Sequence, residues 1–244
     1  MPSFWKHVNL VLKEADIIIE VLDARMIQET RNEEIENKIK KSNKKILYVI
    51  NKCDLVNKKK IDSTKKELKP SVFISSREHL GTTILKKKIL ELSRGEKVTV
   101  GIVGYPNVGK SSLINALAGR GKARTSIESG YTKGVQRIRV DNKILLLDTP
   151  GVFPNKEKDV AKHGAIGAID FAKIKDPEIV ALKLIESEKD LIKQHFKIVE
   201  DEAEDILEAI AIKFKKLSKG GKANLEIAAR FLLREWQTGK IKSE

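Results

Sequence analysis

The segment Gly104-Tyr105-Pro106-Asn107-Val108-Gly109-Lys110-Ser111 decides the fold of this chain. It matches the pattern G-x-x-x-x-G-K-S and lies between the apolar run 98–103 and an amphipathic stretch that begins at Ser112. Glycines let the main chain wrap closely around a polyphosphate, and the N-terminus of a following helix supplies N–H donors and positive potential. A glycine-rich turn that binds no ligand is the alternative, but the strand before the loop and the helix after it favour phosphate binding.

This phosphate loop predicts the roles of its last residues. Lys110 is expected to contact the β- and γ-phosphates, and the hydroxyl of Ser111 is expected to bind Mg²⁺. We expect the phosphates to lie along the second half of the loop and the first helical turn, which comprise Asn107, Val108, Gly109, Lys110, Ser111 and Ser112.

Apolar runs alternate with amphipathic stretches on both sides of the loop. Five runs predict buried strands, at residues 17–22, 46–50, 71–74, 98–103 and 144–147, and the alternating stretch 135–140 predicts a strand nearer an edge. Helices are predicted over residues 31–41, 57–68, 82–93 and 110–119. The pattern predicts an α/β fold, with a mostly parallel sheet of about six strands covered by helices.

The strand pattern ends after Asp159, and three helical patterns follow. One opens at Asp176-Pro177, the next spans residues 205–217, and the last follows Gly220-Gly221 from Leu225. We therefore predict an α/β domain over residues 1–160, with its boundary placed to within about ten residues, and a small all-α domain over residues 161–244.

A second motif, Asn51-Lys52-Cys53-Asp54, directly follows one of the predicted strands. It resembles the guanine-specificity motif N-K-x-D, in which the carboxylate accepts hydrogens from guanine N1–H and the exocyclic amine. Adenine would leave such a carboxylate unpaired. The alternative is a turn with Asp54 as a helix cap, which the presence of the phosphate loop disfavours. We expect Asn51, Lys52, Cys53 and Asp54 to contact the base, with Cys53 filling the variable position.

Two further segments extend this assignment. Asp148-Thr149-Pro150-Gly151 resembles the D-x-x-G motif, whose Asp orients a magnesium-bound water and whose Gly N–H approaches the γ-phosphate, although a plain Pro-Gly turn would look similar. Ser75-Ser76 matches a loop whose main-chain donors reach the guanine O6. We expect Lys110, Asp148 and Gly151 to serve catalysis together with Thr132, which lies between the phosphate loop and Asp148.

A threonine that binds Mg²⁺ and senses the γ-phosphate is expected between the phosphate loop and D-x-x-G. Thr132, in Ser129-Gly130-Tyr131-Thr132-Lys133-Gly134, is favoured by its flanking glycines, and Thr125 and Ser126 are the alternatives. The predicted metal ligands are thus Ser111 and Thr132 directly, and Asp148 through water.

The order of the motifs along the chain is itself informative. Ordinary GTPases run from the phosphate loop through D-x-x-G to N-K-x-D, whereas here N-K-C-D and Ser75-Ser76 come first. This order predicts a circular permutation, which a sheet tolerates because the packed strands stay unchanged. With Val21-Leu22-Asp23-Ala24-Arg25 before Thr30-Arg31-Asn32, and with Gly220-Gly221 through Trp236, the chain resembles the YlqF/YawG group of circularly permuted ribosome-assembly GTPases. Met26-Ile27 departs from the Asp-Pro of that group.

The resemblance implies a cytoplasmic GTPase that acts on GTP with Mg²⁺ and binds rRNA of the large ribosomal subunit precursor through its helical domain. It also implies a K⁺ site at Asn107, whose alternative role is that of a turn residue. Val152-Phe153 follows Gly151, so no glutamine is available there to position water. We expect slow intrinsic hydrolysis, completed by a cation, by RNA or by another group. His7 is a weaker candidate, because it stands only nine positions before Asp16.

The composition is compatible with this assignment but does not prove it. The chain has 48 Lys and Arg against 34 Asp and Glu, a net charge of +14. Residues 1–160 carry +13 of it, and their lysine runs would attract nucleic-acid phosphates or would simply be solvated. The single cysteine excludes an internal disulfide, and no run of eighteen apolar residues predicts a membrane span. We expect no DNA partner and, by default, a monomer.

Two other functions stay open at this point. One is a GTPase switch whose partner is a protein, with no ribosomal role and with a basic face that merely reflects composition. The other is an RNA-binding scaffold that holds GTP without useful turnover. A salt-dependent affinity for rRNA would distinguish a ribosomal factor from the switch with a protein partner. Single-turnover hydrolysis would distinguish it from the RNA-binding scaffold.

Overall fold

The computed structural model describes residues 3–119, 135–154 and 159–243. The chain divides into two compact units, Met1–Lys158 and Asp159–Glu244. The first unit has these strands: β1 Ile17–Asp23, β2 Lys45–Asn51, β3 Ser71–Phe73, β4 Val98–Val103, β5 Gln136–Arg139 and β6 Ile144–Asp148. Its helices are α1 Ser3–Glu14, α2 Ile27–Thr30, α3 Glu33–Lys41, α4 Lys58–Glu67, α5 Thr82–Leu92 and α6 Lys110–Ala118.

The six strands of the described ranges form one sheet in the order β3-β2-β1-β4-β6-β5. All neighbours are parallel except β5, which pairs antiparallel with β6 at the edge. Asp23 lies opposite Asn51, and Ile102 lies opposite Asp148. The carboxyl ends of β1, β2, β4 and β6 therefore meet at one edge of the sheet, where parallel sheets bind their ligands.

The predicted α/β fold is confirmed, and the six predicted strands agree with the observed ones to within about two residues. Helices α1 and α2 lie outside the predicted set. Helix α1 buries Trp5, Val8, Val11 and Leu12 against the sheet. A Cβ at Gly101 of β4 would stand 2.3 Å from Cγ1 of Val11, so the absence of a side chain there lets α1 lie directly on the central strands.

The second unit is helical, as predicted, although its helices are divided differently. The described residues 159–243 form α7 Val160–Ala165, α8 Pro177–Ser187, α9 Lys189–Phe196, α10 Ala203–Lys213 and α11 Leu225–Gln237. Helix α10 ends before Leu217 because Lys215 adopts a left-handed conformation, with φ 53°. Trp236 is buried and donates its indole N–H to the carbonyl of Ala165 at 3.0 Å, which joins α11 to α7. None of the described helices is long and apolar enough to cross a membrane.

Candidate nucleotide-binding site

The phosphate loop connects β4 to α6 and needs its glycines for steric reasons. Gly104 and Gly109 have φ of 144° and 99°, which side chains rarely adopt. A Cβ at Gly109 would stand 2.2 Å from Nδ2 of Asn51, and one at Gly104 would stand 2.6 Å from the carbonyl oxygen of Val21. The loop therefore packs directly against the ends of β1 and β2.

Lys110 begins α6 and is buried. Its ammonium group donates to the carbonyl oxygens of Gly104 at 3.0 Å and Tyr105 at 2.6 Å, two residues of the same loop. Burial lowers the pKa of Lys110 to about 8, although the nearby charge of Asp148 opposes this shift. The group is thus held at the loop in a position from which it can exchange carbonyl oxygens for phosphate oxygens.

Asp148 ends β6 and lies beside the phosphate loop. It is 1% exposed, and within the described ranges neither carboxylate oxygen accepts a hydrogen bond of normal geometry. Burial raises the pKa of Asp148 to about 6, against the opposing effect of the Lys110 charge. A buried carboxylate without partners is costly unless a cation or a cation-bound water compensates it. The residues present therefore fit Mg²⁺, with the half-buried Ser111 as the neighbouring ligand.

The rest of the Asp148–Gly151 segment packs on the same loop. The hydroxyl of Thr149 donates to the carbonyl of Ile102 at 2.7 Å, and the N–H of Val152 donates to that of Gly104 at 3.3 Å. A Cβ at Gly151 would stand 2.6 Å from Cα of Pro106. Gly151 therefore allows the two phosphate-facing segments to lie against each other.

Asn51 joins three segments that are distant in sequence. Its Nδ2 donates to the carbonyl of Val108 in the phosphate loop at 2.9 Å, and its Oδ1 accepts from the N–H of Ser76 at 3.1 Å. Ser75 is fully buried beside it. The predicted base-binding motif and the Ser75-Ser76 loop are thus fixed to the phosphate loop by one buried amide.

The three residues that follow differ in their contacts. Lys52 adopts φ 62° and donates to Oδ2 of Asp23 at 2.7 Å. The N–H of Cys53 donates to the carbonyl of Ile74 at 3.0 Å. Asp54 keeps a buried Oδ1 that has no hydrogen-bond partner among the described residues, and so does the hydroxyl of Ser76. Of these two groups, the Asp54 carboxylate is the one predicted to contact guanine, whereas the Ser75-Ser76 loop was predicted to contact it through main-chain donors.

The structure brings together the predicted site residues that it describes. Thr132, Thr125 and Ser126 lie outside the described residues. His7 lies on α1 and is half-buried, with a buried Nδ1 that has no hydrogen-bond partner in the described part of the chain. Asp23 and Arg25 also lie at this edge of the sheet, and they had no predicted role at the site although both belong to the Val21-to-Arg25 segment.

The first unit matches the family model described as "RsgA GTPase" over residues 13–155. A second family model, described as "50S ribosome-binding GTPase", matches residues 99–216. An uncharacterised GTP-binding protein of Methanocaldococcus jannaschii is 41% identical over 97% of this chain and 65% of its own length. GTPase grn1 of Schizosaccharomyces pombe is 30% identical over 98% of this chain and 61% of its own length.

The chain spans about half to two thirds of the length of the curated relatives it matches. Among solved structures, GDP-bound YlqF of T. maritima is similar with a TM-score of 0.68 and 25% identity, over 96% of this chain and 95% of that one. The GNP-bound form of YlqF from T. maritima has the same TM-score at 24% identity, over 98% of this chain and 94% of the other, and shows the same fold.

Proposed function

Since the chain belongs to the RsgA GTPase family and is a circularly permuted GTPase of the YlqF type, we propose that it hydrolyses GTP to GDP and phosphate. We further propose that it acts as an assembly factor for the large ribosomal subunit by binding rRNA. The observation that carries the first proposal is the buried Asn51 amide, which holds the base-binding motif against the phosphate loop. One nucleoside triphosphate has to reach both segments, and this contact holds them next to each other.

Base recognition is assigned to the unpaired groups of the guanine pocket. The carboxylate of Asp54 would accept N1–H and the exocyclic amine of guanine, and the Ser75-Ser76 loop would face the O6. A buried Oδ1 that accepts no hydrogen bond from the described residues supports this role, because it is available to the base. Lys52 and Cys53 would flank the ring.

Phosphate binding is assigned to the loop from Asn107 to Ser112 and to Gly151. Lys110 would donate to the β- and γ-phosphates after leaving the carbonyl oxygens of Gly104 and Tyr105. Ser111 and Asp148 would hold Mg²⁺, Asp148 through water, together with Thr132. When bound, Mg²⁺ neutralises charge on the phosphate oxygens.

Slow intrinsic hydrolysis is expected from the residues after Gly151. Val152 is 2% exposed and Phe153 lies edge-on to Tyr105 with ring centroids 5.9 Å apart, so apolar side chains occupy the positions next to the loop. We assign the missing charge stabilisation to K⁺ at Asn107 or to bound RNA. Asn107 has φ 61° and is half-buried in the loop.

The rRNA contact is assigned to the segment that runs from the last residue of α10 towards α11, for which we use the name lysine loop. It spans residues 213–222 and carries Lys213, Lys215, Lys216, Lys219 and Lys222. Phe214 is 38% exposed and its ring centroid lies 5.1 Å from that of Phe231, while the ammonium of Lys216 lies 4.7 Å from the Phe231 ring. Lysines beside accessible aromatic rings suit phosphates and unstacked bases.

The test is GTP hydrolysis in matched K⁺ and Na⁺ buffers, with and without purified large ribosomal subunits. We expect stimulation by subunits that is larger in K⁺. Turnover that subunits leave unchanged in both buffers would contradict the ribosomal proposal and would favour a switch with a protein partner. Small ribosomal subunits at the same concentration are the control. The cytoplasmic location and the monomeric state stay predictions.

A further inference from the structure

We propose that Asp23 is a positioning residue for the guanine site. Its carboxylate holds the ammonium of Lys52 and so fixes the conformation of the 51–54 loop in which Asp54 faces the base. This inference rests on the proposed guanine-nucleotide binding, and it adds a residue from another strand to that site. It assigns to Asp23 no contact with the nucleotide itself.

Asp23 is a buried carboxylate whose hydrogen bonds are all made to cationic residues or to their main chain. It is 2% exposed and ends β1, opposite Asn51 of β2. Oδ1 accepts from the main-chain N–H and the Nε of Arg25, each at 3.0 Å. Oδ2 accepts from Nη2 of Arg25 at 2.8 Å and from the ammonium of Lys52 at 2.7 Å. One carboxylate therefore joins two cations at the end of the sheet.

These charges hold Asp23 in its ionised form. Burial alone raises the pKa of a carboxyl group, but the adjacent charges of Arg25 and Lys52 outweigh it and hold the pKa of Asp23 far below its usual range. The Asp23 carboxylate is therefore charged throughout the range in which the protein would work, while burial lowers the pKa of Lys52 and the Asp23 charge opposes that shift.

The bond to Asp23 is made by Lys52, which is the residue of the 51–54 loop with the least favourable backbone conformation. Lys52 has φ 62°, a left-handed conformation that a lysine adopts only at a cost of about 1 kcal/mol or more. The two residues beside it are also fixed, Asn51 through Val108 and Ser76, and Cys53 through the carbonyl of Ile74. Three successive residues are thus tied to three different segments, and the bond to Asp23 compensates the strained one.

The consequence concerns the orientation of Asp54. Because residues 51–53 are fixed, the Asp54 carboxylate is oriented before the base arrives, so binding costs little loop entropy. Without the Asp23 charge, the ammonium of Lys52 would leave for solvent and the strained φ would relax. Asp54 would still recognise guanine, but only after the loop is ordered again at the expense of affinity.

The experiment is the dissociation constant of the full chain for fluorescent mant-GDP, measured well below the unfolding midpoint of each variant. Asp23→Asn keeps the shape and removes the charge, and it should weaken binding roughly tenfold or more. Turnover at saturating GTP should change less than about twofold, since ground-state binding is affected. Glu36→Gln is the matched control, because it removes another buried carboxylate that is paired with an arginine, and that carboxylate bonds Arg31 rather than the 51–54 loop. Its dissociation constant should equal that of the wild type.

Lys52→Met separates positioning from stability. It keeps an apolar chain of similar length and should weaken mant-GDP binding about as much as Asp23→Asn. In the Lys52→Met background, Asp23→Asn should change the dissociation constant less than about twofold. Independent effects of the two substitutions, or wild-type affinity of Asp23→Asn, would overturn the proposal. Should Asp23→Asn not fold, Lys52→Met decides by itself, with unchanged affinity as the contrary result. Wild-type protein that does not bind mant-GDP would instead contradict the proposed function.

Discussion

Single carboxylates carry the strongest signals of function in this protein. Asp148 is almost completely buried and, among the described residues, makes no hydrogen bond of normal geometry beyond a weak interaction with the main chain of Thr149, while Asp54 keeps one buried Oδ1 without a partner there. An unpaired buried polar atom destabilises a fold by about 1–3 kcal/mol. By contrast, the Asp23 carboxylate has all its bonds satisfied by Arg25 and Lys52. This difference is what our proposals use: Asp148 and Asp54 are assigned to the ligands, and Asp23 is assigned to hold the loop that carries Asp54.

Asp148→Asn should stabilise the nucleotide-free protein while impairing its function. Burial makes the ionised form of Asp148 unfavourable in the folded protein. A neutral amide of the same shape should therefore raise the free energy of unfolding at neutral pH by about 1–3 kcal/mol. Denaturant titration measures this change, and Mg²⁺-dependent GTP turnover should be lost in the same variant. Asp62→Asn on exposed α4 is the control, with an expected change within about 0.5 kcal/mol. A less stable Asp148→Asn protein would contradict the interpretation.

Asp54→Ala should remove the preference for guanine. The carboxylate would otherwise accept two hydrogen bonds from the base, and loss of charged hydrogen bonds should reduce GDP affinity about 10²-fold while leaving the weak ADP affinity unchanged. Competition of GDP and ADP against mant-GDP measures the ratio. Asp62→Ala provides the control for loss of a nearby exposed carboxylate. Retained selectivity for guanine in Asp54→Ala would refute the base assignment.

At the level of elements, the site is made by the ends of strands rather than by any one loop. β1 supplies Asp23, β2 supplies Asn51, β4 leads into the phosphate loop and β6 ends at Asp148. Parallel register brings these ends together, and close main-chain approach, as at Gly104 and Gly109, then fixes their distances. Substitutions that push these main-chain segments apart should therefore weaken nucleotide binding as strongly as substitutions of the side chains that face the ligand.

Gly109→Ala should disrupt the junction between the phosphate loop and the guanine motif. The added Cβ would meet the Nδ2 of Asn51 at 2.2 Å and displace the amide that bonds Val108. Gly95→Ala is the matched control, because its φ of 80° is also positive but no atom of the described residues lies within 4 Å of its Cβ position. Both variants should lose about 1 kcal/mol of stability through backbone strain. Only Gly109→Ala should weaken mant-GDP binding more than about tenfold, and equal affinities of the two variants would contradict the junction.

Glu20 of β1 should make stability depend on pH. Glu20 is fully buried, accepts from the N–H of Asn32 at 2.8 Å and lies near Glu36, which Arg31 contacts through two bonds of 2.8 Å. Burial raises the pKa of Glu20 from 4.5 to about 8, the Asn32 bond lowers it, and the Glu36 charge raises it further. The raised pKa means that neutral Glu20 stabilises the fold below pH 4.5, and that this contribution is lost as the pH rises to about 8.

Glu20→Gln removes that titration. Between pH 5 and 8 the free energy of unfolding of the wild type should fall relative to that of the variant, by up to about 1.4 kcal/mol per pH unit. Near pH 5 the two proteins should be alike, because glutamine resembles the protonated carboxyl group. Chemical denaturation across this range measures the difference. A constant difference between the two proteins at every pH would show that Glu20 is ionised in the fold.

At the scale of the whole molecule, the net positive charge is concentrated in the first unit. Residues 1–160 carry a net +13, whereas the lysine loop lies in the second unit, which is nearly neutral overall. Net charge attracts polyanions at long range, but affinity depends on the lysines that contact phosphates. The proposed RNA surface is therefore local, and its contribution can be separated from that of the basic first unit.

The affinity for rRNA of the large subunit should fall linearly with salt on logarithmic axes, and the lysine loop should set part of the slope. Replacing Lys219 and Lys222 by Gln should reduce the magnitude of the slope by roughly 1–2. Lys58→Gln with Lys59→Gln on exposed α4 is the control for an equal loss of charge. If the α4 pair changes the slope and the lysine-loop pair does not, the RNA contacts belong to the first unit.

The sequence by itself determined the sheet, the motifs and their permuted order. Buried parallel strands are continuous apolar runs, and a strand before Gly104 and a helix after Lys110 leave few ways to build the loop, so local pattern sufficed. It did not predict α1, nor the division of the second unit into five described helices rather than three patterns. Those boundaries depend on single residues such as Lys215, whose left-handed φ ends a helix that periodicity alone would continue.

Only the tertiary structure decided which polar residues serve one another. Asp23 and Lys52 are 29 positions apart, and Asn51 and Val108 are 57 apart, so their bonds leave no periodic trace in the sequence. The same holds for the buried pair Glu20 and Glu36, whose charges in a printed sequence look like any others on an exposed helix or strand. Hydrogen bonds and desolvation depend on distances of a few ångströms, and the packing of the sheet sets these distances once the whole chain is folded.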